Sequence, residues 1–383
     1  MAKYTIKTLH GLEEVLCSEI NALGGSNVKP LKRAVSCEGD LEFLYKANIG
    51  LRTAVSILKP IHRFRASNED QLYRGVKSID WTAIFDVRKR FAITASVHSN
   101  HFNHSKYVAL KSKDAIVDQF REKFGSRPSI EIENPAIKIN IHIARDQVTV
   151  SLDSSGDTLN KRGYRKEGVF APLNEVLAAG MIALSGWDKK TDFVDPMCGS
   201  GTILIEAAMM AKNIAPNINR DAYCFKNWKD FNPTLYKKVI TQAKLNTIET
   251  DCQFFGSDIS DKNLRIAVQN SFKAGIGRAI KFENCDAREL HVPFENGIAI
   301  TNPPYGERLR LDDMNAFYKE LSDAFKNHFE GYDVWLISSN MEAIKHIRLK
   351  TSRKITLFNG SLECKFNKYE MYRGTKKVRP QLT

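Results

Sequence analysis

Long apolar runs are missing from this chain of 383 residues. No stretch approaches the roughly 18 consecutive apolar residues of a membrane-spanning helix, so no membrane association is expected. The opening "MAKYTIKTLHGLEE" lacks the apolar core of a secretion signal, and charge interrupts it early. Paired cysteines are missing too. The seven cysteines, at 17, 37, 198, 224, 252, 285 and 364, are odd in number, and no two are spaced C-x-x-C. That pattern excludes a disulfide framework and a zinc site of ordinary spacing, and it points to reduced thiols in a cytoplasmic protein without metal. Internal repeats and low-complexity tracts are absent. Acidic residues are in deficit, with 44 Asp and Glu against 57 Lys and Arg, a net charge of +13. The deficit is uneven: residues 1–166 carry 27 basic against 18 acidic residues, the remainder 30 against 26. A basic chain of this size suits a polyanion, of which nucleic acid is the commonest.

What is present falls into three textures. Residues 1–60 read as a small α+β unit. A strand, "KYTIKT", leads to a helix with Leu9, Leu12, Leu16, Ile20 and Leu23 on one stripe, stopped by Gly24 and Gly25. Residues 61–153 read as a second α+β unit. It has a strand "RFAITASV", an amphipathic helix ending at Gly125, and two alternating strands turning at Arg145, Asp146 and Gln147. Basic residues gather there, among them Arg63, Lys106, Lys111 and the run Arg88-Lys89-Arg90, read either as nucleic-acid contacts or as a solvated face. The polar, basic stretch 154–168 reads as a linker. From 169 to 383 short apolar strands alternate with helices, the rhythm of a doubly wound parallel sheet. "KITLFNGSLECKFNKYEMYR" closes the chain as an antiparallel hairpin around Asn359-Gly360.

Chemistry concentrates at four predicted strand ends. In "FVDPMCGSGTILIEAA" a strand ends at Asp195, a turn holds Cys198, Gly199 and Gly201, and a helix starts near Thr202. The glycines let backbone approach a ligand, and the helix offers free N–H groups. The pattern is not G-x-G-x-x-G, and no lysine follows the glycines, so a P-loop is excluded. Asp258 ends the next strand, where a carboxylate can accept both ribose hydroxyls of a nucleoside, or can cap a helix. Asp286 follows the third strand and can accept from an adenine amino group, or can cap. The fourth end is "AITNPPYGERL". Its prolines have no N–H, so this turn presents carbonyl acceptors on a rigid frame, with the Asn302 side-chain oxygen beside them. Tyr305 supplies a face for a stacked base. The assembly suits the grip of a nucleobase amino group.

"DPMCGSGT", "SDIS", "NCDA" and "TNPPYGERL" resemble the successive motifs of S-adenosylmethionine-dependent amino-methyltransferases. "SSGDTLNKRGYR", "APLNEVLAA" and "LFNGSLEC" resemble more narrowly the bacterial THUMP-domain guanine-N2 RNA methyltransferases, similar to the N-terminal half of the bifunctional 23S ribosomal RNA methyltransferase. The resemblance implies an α/β fold: a seven-stranded Rossmann-like methyltransferase sheet, mostly parallel with a C-terminal antiparallel hairpin, preceded by ferredoxin-like and THUMP α+β domains. It implies S-adenosylmethionine as cofactor, held by Asp195, Pro196, Cys198, Gly199, Gly201, Thr202, Asp258, Ile259, Asp286, Ala287 and Asn302. It implies catalysis by Asn302, Pro303, Pro304 and Tyr305. The expected partner is RNA, ribosomal RNA first, met by the basic N-terminal half and by linker residues Lys161, Arg162 and Arg165. A transfer RNA guanine-N2 enzyme and a DNA adenine-N6 enzyme are the alternatives, since Asn-Pro-Pro-Tyr serves both amino groups. A dinucleotide oxidoreductase is disfavoured because Asp258 lies far beyond the usual acid position, about 20 residues after the glycines. Retention of Asp195, Gly199, Gly201, Asp258, Asp286 and Asn302 argues against a non-catalytic RNA binder.

Overall fold

A computed structural model describes residues 1–165, 173–304 and 311–372. They divide into two compact units. One gathers Met1–Leu9, Leu16–Lys161 and Asn217–Leu245; the other gathers His10–Val15, Arg162–Pro216 and Asn246–Thr383.

The first unit is built on strands β1 (Ala2–Lys7), β2 (Ser26–Leu31), β3 (Ala34–Gly39), β4 (Ser56–Arg65), β5 (Phe91–His98), β6 (Ile137–Ala144) and β7 (Gln147–Asp153). Up to residue 165 the helices are α1 (Glu13–Ala22), α2 (Leu41–Gly50), α3 (Glu69–Lys77), α4 (Trp81–Ile84) and α5 (Ser105–Phe124). The seven strands form one sheet, ordered β2-β3-β1-β4-β7-β6-β5. Isoleucines 137, 139, 141 and 143 of β6 are all buried, the period-2 signature of a strand with a covered face. Asp40 caps α2 by accepting from the Phe43 N–H at 2.7 Å, and Gly125 ends α5 at φ 66°.

A division at residue 60 falls inside β4. That strand pairs with β1 at Leu58↔Thr5 and with β7 from Leu58↔Asp153 to Arg65↔Gln147. The two α+β halves therefore share one sheet through a single ten-residue strand. Its register shifts between Pro60 and His62, where proline cannot donate to a ladder.

The second unit opens with α6 (Glu175–Ser185), β8 (Phe193–Asp195) and α7 (Thr202–Ala211). The chain then departs. Asn217–Leu245, with α8 (Pro233–Leu245), belongs to the first unit rather than to the methyltransferase-like texture around it. Tyr45 of α2 meets Phe225 at 4.9 Å and Tyr236 at 5.7 Å between ring centroids, and its hydroxyl accepts from the Asn232 N–H at 2.9 Å. The second unit resumes with β9 (Phe254–Asp258), α9 (Asp261–Lys273), β10 (Ile280–Asn284), β11 (Gly297–Thr301), α10 (Leu311–His328), β12 (Tyr332–Ser338), α11 (Met341–Ile344), β13 (Thr351–Asn359) and β14 (Leu362–Glu370).

Its sheet runs β10-β9-β8-β11-β12-β14-β13. The five strands from β10 to β12 are parallel; β14 is antiparallel to both neighbours. Strand order reverses at β8, so a crevice opens at the carboxyl ends of β8 and β11. Ile298, Ala299 and Ile300 of β11 and Val334 to Ile337 of β12 are buried as continuous runs, as expected for strands covered on both faces. Met314, Tyr318, Leu321 and Phe325 of α10 cover one face at helical spacing. In the closing hairpin Asn359 pairs with Leu362, so the loop is Gly360-Ser361, with Gly360 at φ 65°. Among the described residues no helix is long and apolar enough to cross a membrane.

Candidate active site

The four predicted strand ends fall on one edge of the second sheet: Asp195 ends β8, Asp258 ends β9, Asp286 follows β10 and Asn302 follows β11. The turn after β8 is tied down by its backbone. The Cys198 N–H donates to the Ser257 carbonyl and the Gly201 N–H to the Cys198 carbonyl, both at 2.8 Å. Gly199 and Gly201 sit at φ 54° and 81°, left-handed values that side chains resist. At Gly256 in β9 an added Cβ would come within 2.4 Å of Leu204 Cδ1, so its bare backbone is what lets α7 lie close to the sheet.

Asp195 is buried. Its Oδ1 accepts from the Met197 N–H at 3.2 Å and from the Thr301 hydroxyl at 3.0 Å, linking the two strands that flank the crevice. Burial pushes its carboxyl up to about 7, and Asp258 adds to the rise. Asp258 Oδ2 accepts from the Gly199 N–H at 2.9 Å; its Oδ1 accepts from the Ser260 N–H at 2.9 Å and Asn263 Nδ2 at 3.1 Å. The cap of α9 is Ser260, and Asp258 braces both that cap and the glycine turn. Next to it Ile259 stands 71% exposed, an apolar side chain with no covering. Asp286 is gripped by Arg288, whose Nη2 lies 2.7 Å from Oδ2 and whose Nη1 reaches Glu320 at 2.6 Å. The Arg288 guanidinium holds the Asp286 carboxyl below the usual carboxylate range. Ala287 is buried beside it.

Asn302 Oδ1 is buried and has no hydrogen-bond partner among the described residues. Pro303 is buried and Pro304 exposed. The Pro304 carbonyl accepts from the Tyr318 hydroxyl at 3.4 Å, and Tyr318 in turn bonds Ser338 Oγ at 2.8 Å. Tyr305 lies outside the described residues. The Cys198 thiol is buried and pushed well above its ordinary value by desolvation, the reverse of an activated nucleophile. Among the described residues no group of three or more His, Cys, Asp or Glu could hold a metal ion.

The linker expectation needs correction. The Arg162 side chain is fully buried, paired with Glu206 at 3.5 Å, and cannot meet RNA. Arg165 is 20% exposed and committed to Glu175, Leu173 and Thr202. Lys161 remains exposed, 3.3 Å from Asp157. In sequence these arginines read as linker residues open to RNA; only the fold supplies Glu206 and Glu175 as partners. Arg88 and Arg90 by contrast stand 87% and 67% exposed, in surface pairs with Asp86 and Glu131, and Lys89 donates to Asn227. Thr301, Tyr318 and Arg288 were not legible as site residues. Thr301 adjoins Asn302 and could have been suspected, whereas Tyr318 carries no local signal.

This strand order, with a glycine turn at its switch point, is that of the Rossmann-like methyltransferases. Residues 162–368 match the family described as RMKL-like, methyltransferase domain, and the chain belongs to that family. Residues 66–153 match a THUMP domain and residues 3–58 an RlmL ferredoxin-like domain. The chain is 38% identical over 374 residues to the ribosomal RNA large subunit methyltransferase K/L of Syntrophotalea carbinolica, covering 94% of this chain and 52% of that protein. It thus spans about half the length of the curated relatives it matches. A solved protein described as a methyltransferase in complex with SAH superposes with a TM-score of 0.87 at 29% identity, over 98% of this chain and 99% of the other. Another, from Listeria monocytogenes and described as an N6-adenine-specific DNA methylase, gives 0.84 at 28% identity, over 96% of each chain.

Proposed function

We propose that this chain transfers a methyl group from S-adenosylmethionine to the exocyclic N2 amino group of a guanine in large-subunit ribosomal RNA. The observation that carries the reading is the buried Oδ1 of Asn302 after β11, which has no hydrogen-bond partner among the described residues. A buried acceptor without a donor costs about 1–3 kcal/mol, and a ligand amino group is the donor that would relieve it.

An aromatic amino group is a poor nucleophile, because its lone pair is delocalised into the ring. Asn302 Oδ1 and the Pro303 carbonyl accept its two hydrogens, weaken the delocalisation of the lone pair into the ring, steer it toward the methyl group and favour the positive charge that develops on nitrogen. Tyr305 stacks on the extruded base. No general base is required, since the methylated ammonium is strongly acidic. The bound cofactor supplies an electrophilic methyl group on a sulfonium. Asp195, Pro196, Cys198, Gly199, Gly201 and Thr202 hold it by backbone and helix N-terminus. Asp258 Oδ2 has one protein donor and so retains a lone pair for a ribose hydroxyl. Ile259 offers apolar cover to the adenine. The Arg288 grip keeps Asp286 an ionised acceptor for the adenine amino group.

The DNA adenine-N6 reading shares the Asn302 turn and is the description of the Listeria protein. The THUMP match, the basic residues 1–166 and the names of the curated relatives favour RNA. The deciding experiment incubates the protein and methyl-labelled S-adenosylmethionine separately with undermethylated ribosomal RNA, transfer RNA and DNA, followed by nucleoside mass spectrometry. Labelled N2-methylguanosine in large-subunit RNA is expected. Label in N6-methyladenine of DNA overturns the reading, and label confined to transfer RNA replaces its substrate.

A further inference from the structure

Arg165 was expected to meet RNA. Its guanidinium instead lies in a buried cluster within the second unit, with Arg162, Tyr164, Glu175, Thr202 and Glu206. Arg165 Nη2 donates to the Leu173 carbonyl at 2.7 Å and to Thr202 Oγ1 at 2.9 Å, and lies 3.3 Å from Glu175 Oε1. Thr202 is the first residue of α7, directly after the glycine turn. One helical turn on, Glu206 shares that face of α7 and accepts from Arg162 Nε at 3.5 Å and the Tyr164 hydroxyl at 3.1 Å.

Two features make stability a poor account of this cluster. Buried ion networks recover their desolvation cost poorly, and an apolar replacement is often as stable. Here Arg165 Nε, Glu175 Oε2 and Glu206 Oε2 are all buried without a hydrogen-bond partner among the described residues, a poor balance even for a buried ion network. Moreover, a cation beside a helix N-terminus opposes the helix dipole instead of complementing it. What the arrangement does achieve is geometric. A single guanidinium nitrogen, Nη2, holds the first side chain of α7, a backbone carbonyl eight residues along and the first residue of α6 at once.

We propose that Arg165 is a positioning residue for the cofactor turn: it fixes Thr202, and through it the start of α7, in the geometry that binds S-adenosylmethionine. This rests on the reading that the turn 195–202 holds the cofactor. Arg165 touches neither cofactor nor RNA in this role.

The test is calorimetric affinity for S-adenosylhomocysteine beside fluorescence-anisotropy affinity for ribosomal RNA, in the full chain. Arg165→Met is expected to weaken S-adenosylhomocysteine about tenfold, as for loss of charge-assisted hydrogen bonds, while RNA affinity stays within twofold. Arg165→Lys keeps the charge, but its ammonium stops one bond short of the position Nη2 occupies, and it is expected to recover less than half of that loss on a logarithmic scale. Thr202→Val, close in shape, removes the acceptor and keeps the test usable if Arg165→Met folds poorly. Because both variants break the same contact, the double variant is expected to lose much less than the sum of the single losses. The proposal is overturned if S-adenosylhomocysteine affinity stays within twofold, if RNA affinity falls in its place, if lysine restores affinity fully, or if the two losses simply add. Failure of the wild-type chain to bind S-adenosylhomocysteine would instead remove the cofactor reading itself.

Discussion

Asn302 and Asp195 lie at the ends of adjacent strands, with opposite polar accounts. Among the described residues Asn302 Oδ1 has no donor, whereas Asp195 Oδ1 has two. Their substitutions should therefore fail in different ways. Asn302→Ala removes an acceptor that matters as charge develops on the amino nitrogen. Turnover is expected to drop by about 10²-fold, with S-adenosylhomocysteine affinity held within threefold; steady-state methyl transfer and calorimetry check both, and near-normal turnover would remove Asn302 from the mechanism. For Asp195 the argument runs through pH. Its carboxyl lies at about 7 in the folded chain against an ordinary 3.8. The folded chain then holds the proton more tightly than the unfolded one, so this residue lowers stability as pH rises between those two values. Asp195→Asn keeps a side-chain oxygen for Met197 and Thr301 but cannot ionise. Its melting temperature relative to wild type should rise from pH 5 to pH 8, and a constant difference would show that Asp195 does not titrate in this way.

The glycine turn separates two reasons for needing glycine. At Gly199 an added Cβ meets nothing within 4 Å, so only the left-handed backbone resists a side chain. At Gly201 the same added atom would sit 3.1 Å from Ala267 Cβ, tight contact on top of φ 81°. Gly199→Ala should cost about 1–2 kcal/mol from conformation alone, and Gly201→Ala more, as read from paired urea melts; equal losses would mean that α9 yields at Ala267 without cost. The turn was legible in sequence because strand, glycines and helix are local. The hairpin was legible for the same reason, although the loop proved to be Gly360-Ser361, with Asn359 still in the strand. The sharing of β4 was not legible, because nothing within ten residues says that both edges of a strand are taken. The burial of Arg162 was hidden likewise, since its partner Glu206 lies 44 residues away.

For the chain as a whole, the decisive feature is the return of Asn217–Leu245 to the first unit. Tyr223, Phe225, Phe231 and Tyr236 form one aromatic cluster with Tyr45. A fragment beginning at Arg162 keeps those four rings and loses what covers them. It is expected to aggregate on size-exclusion chromatography with light scattering, and replacing residues 218–244 with a short Gly/Ser linker should restore a monodisperse fragment. A monodisperse fragment without that replacement would show that the cluster does not need the first unit. What the amino-acid sequence by itself determined was the order of strands and helices, the residue types at four strand ends and an excess of positive charge. These rest on local periodicity, turn residues and composition. The tertiary structure decided which of those groups share an edge, which acceptor has no donor among the described residues, and which arginines serve the interior. It did so because burial and hydrogen-bond partners are set by residues far apart in the chain.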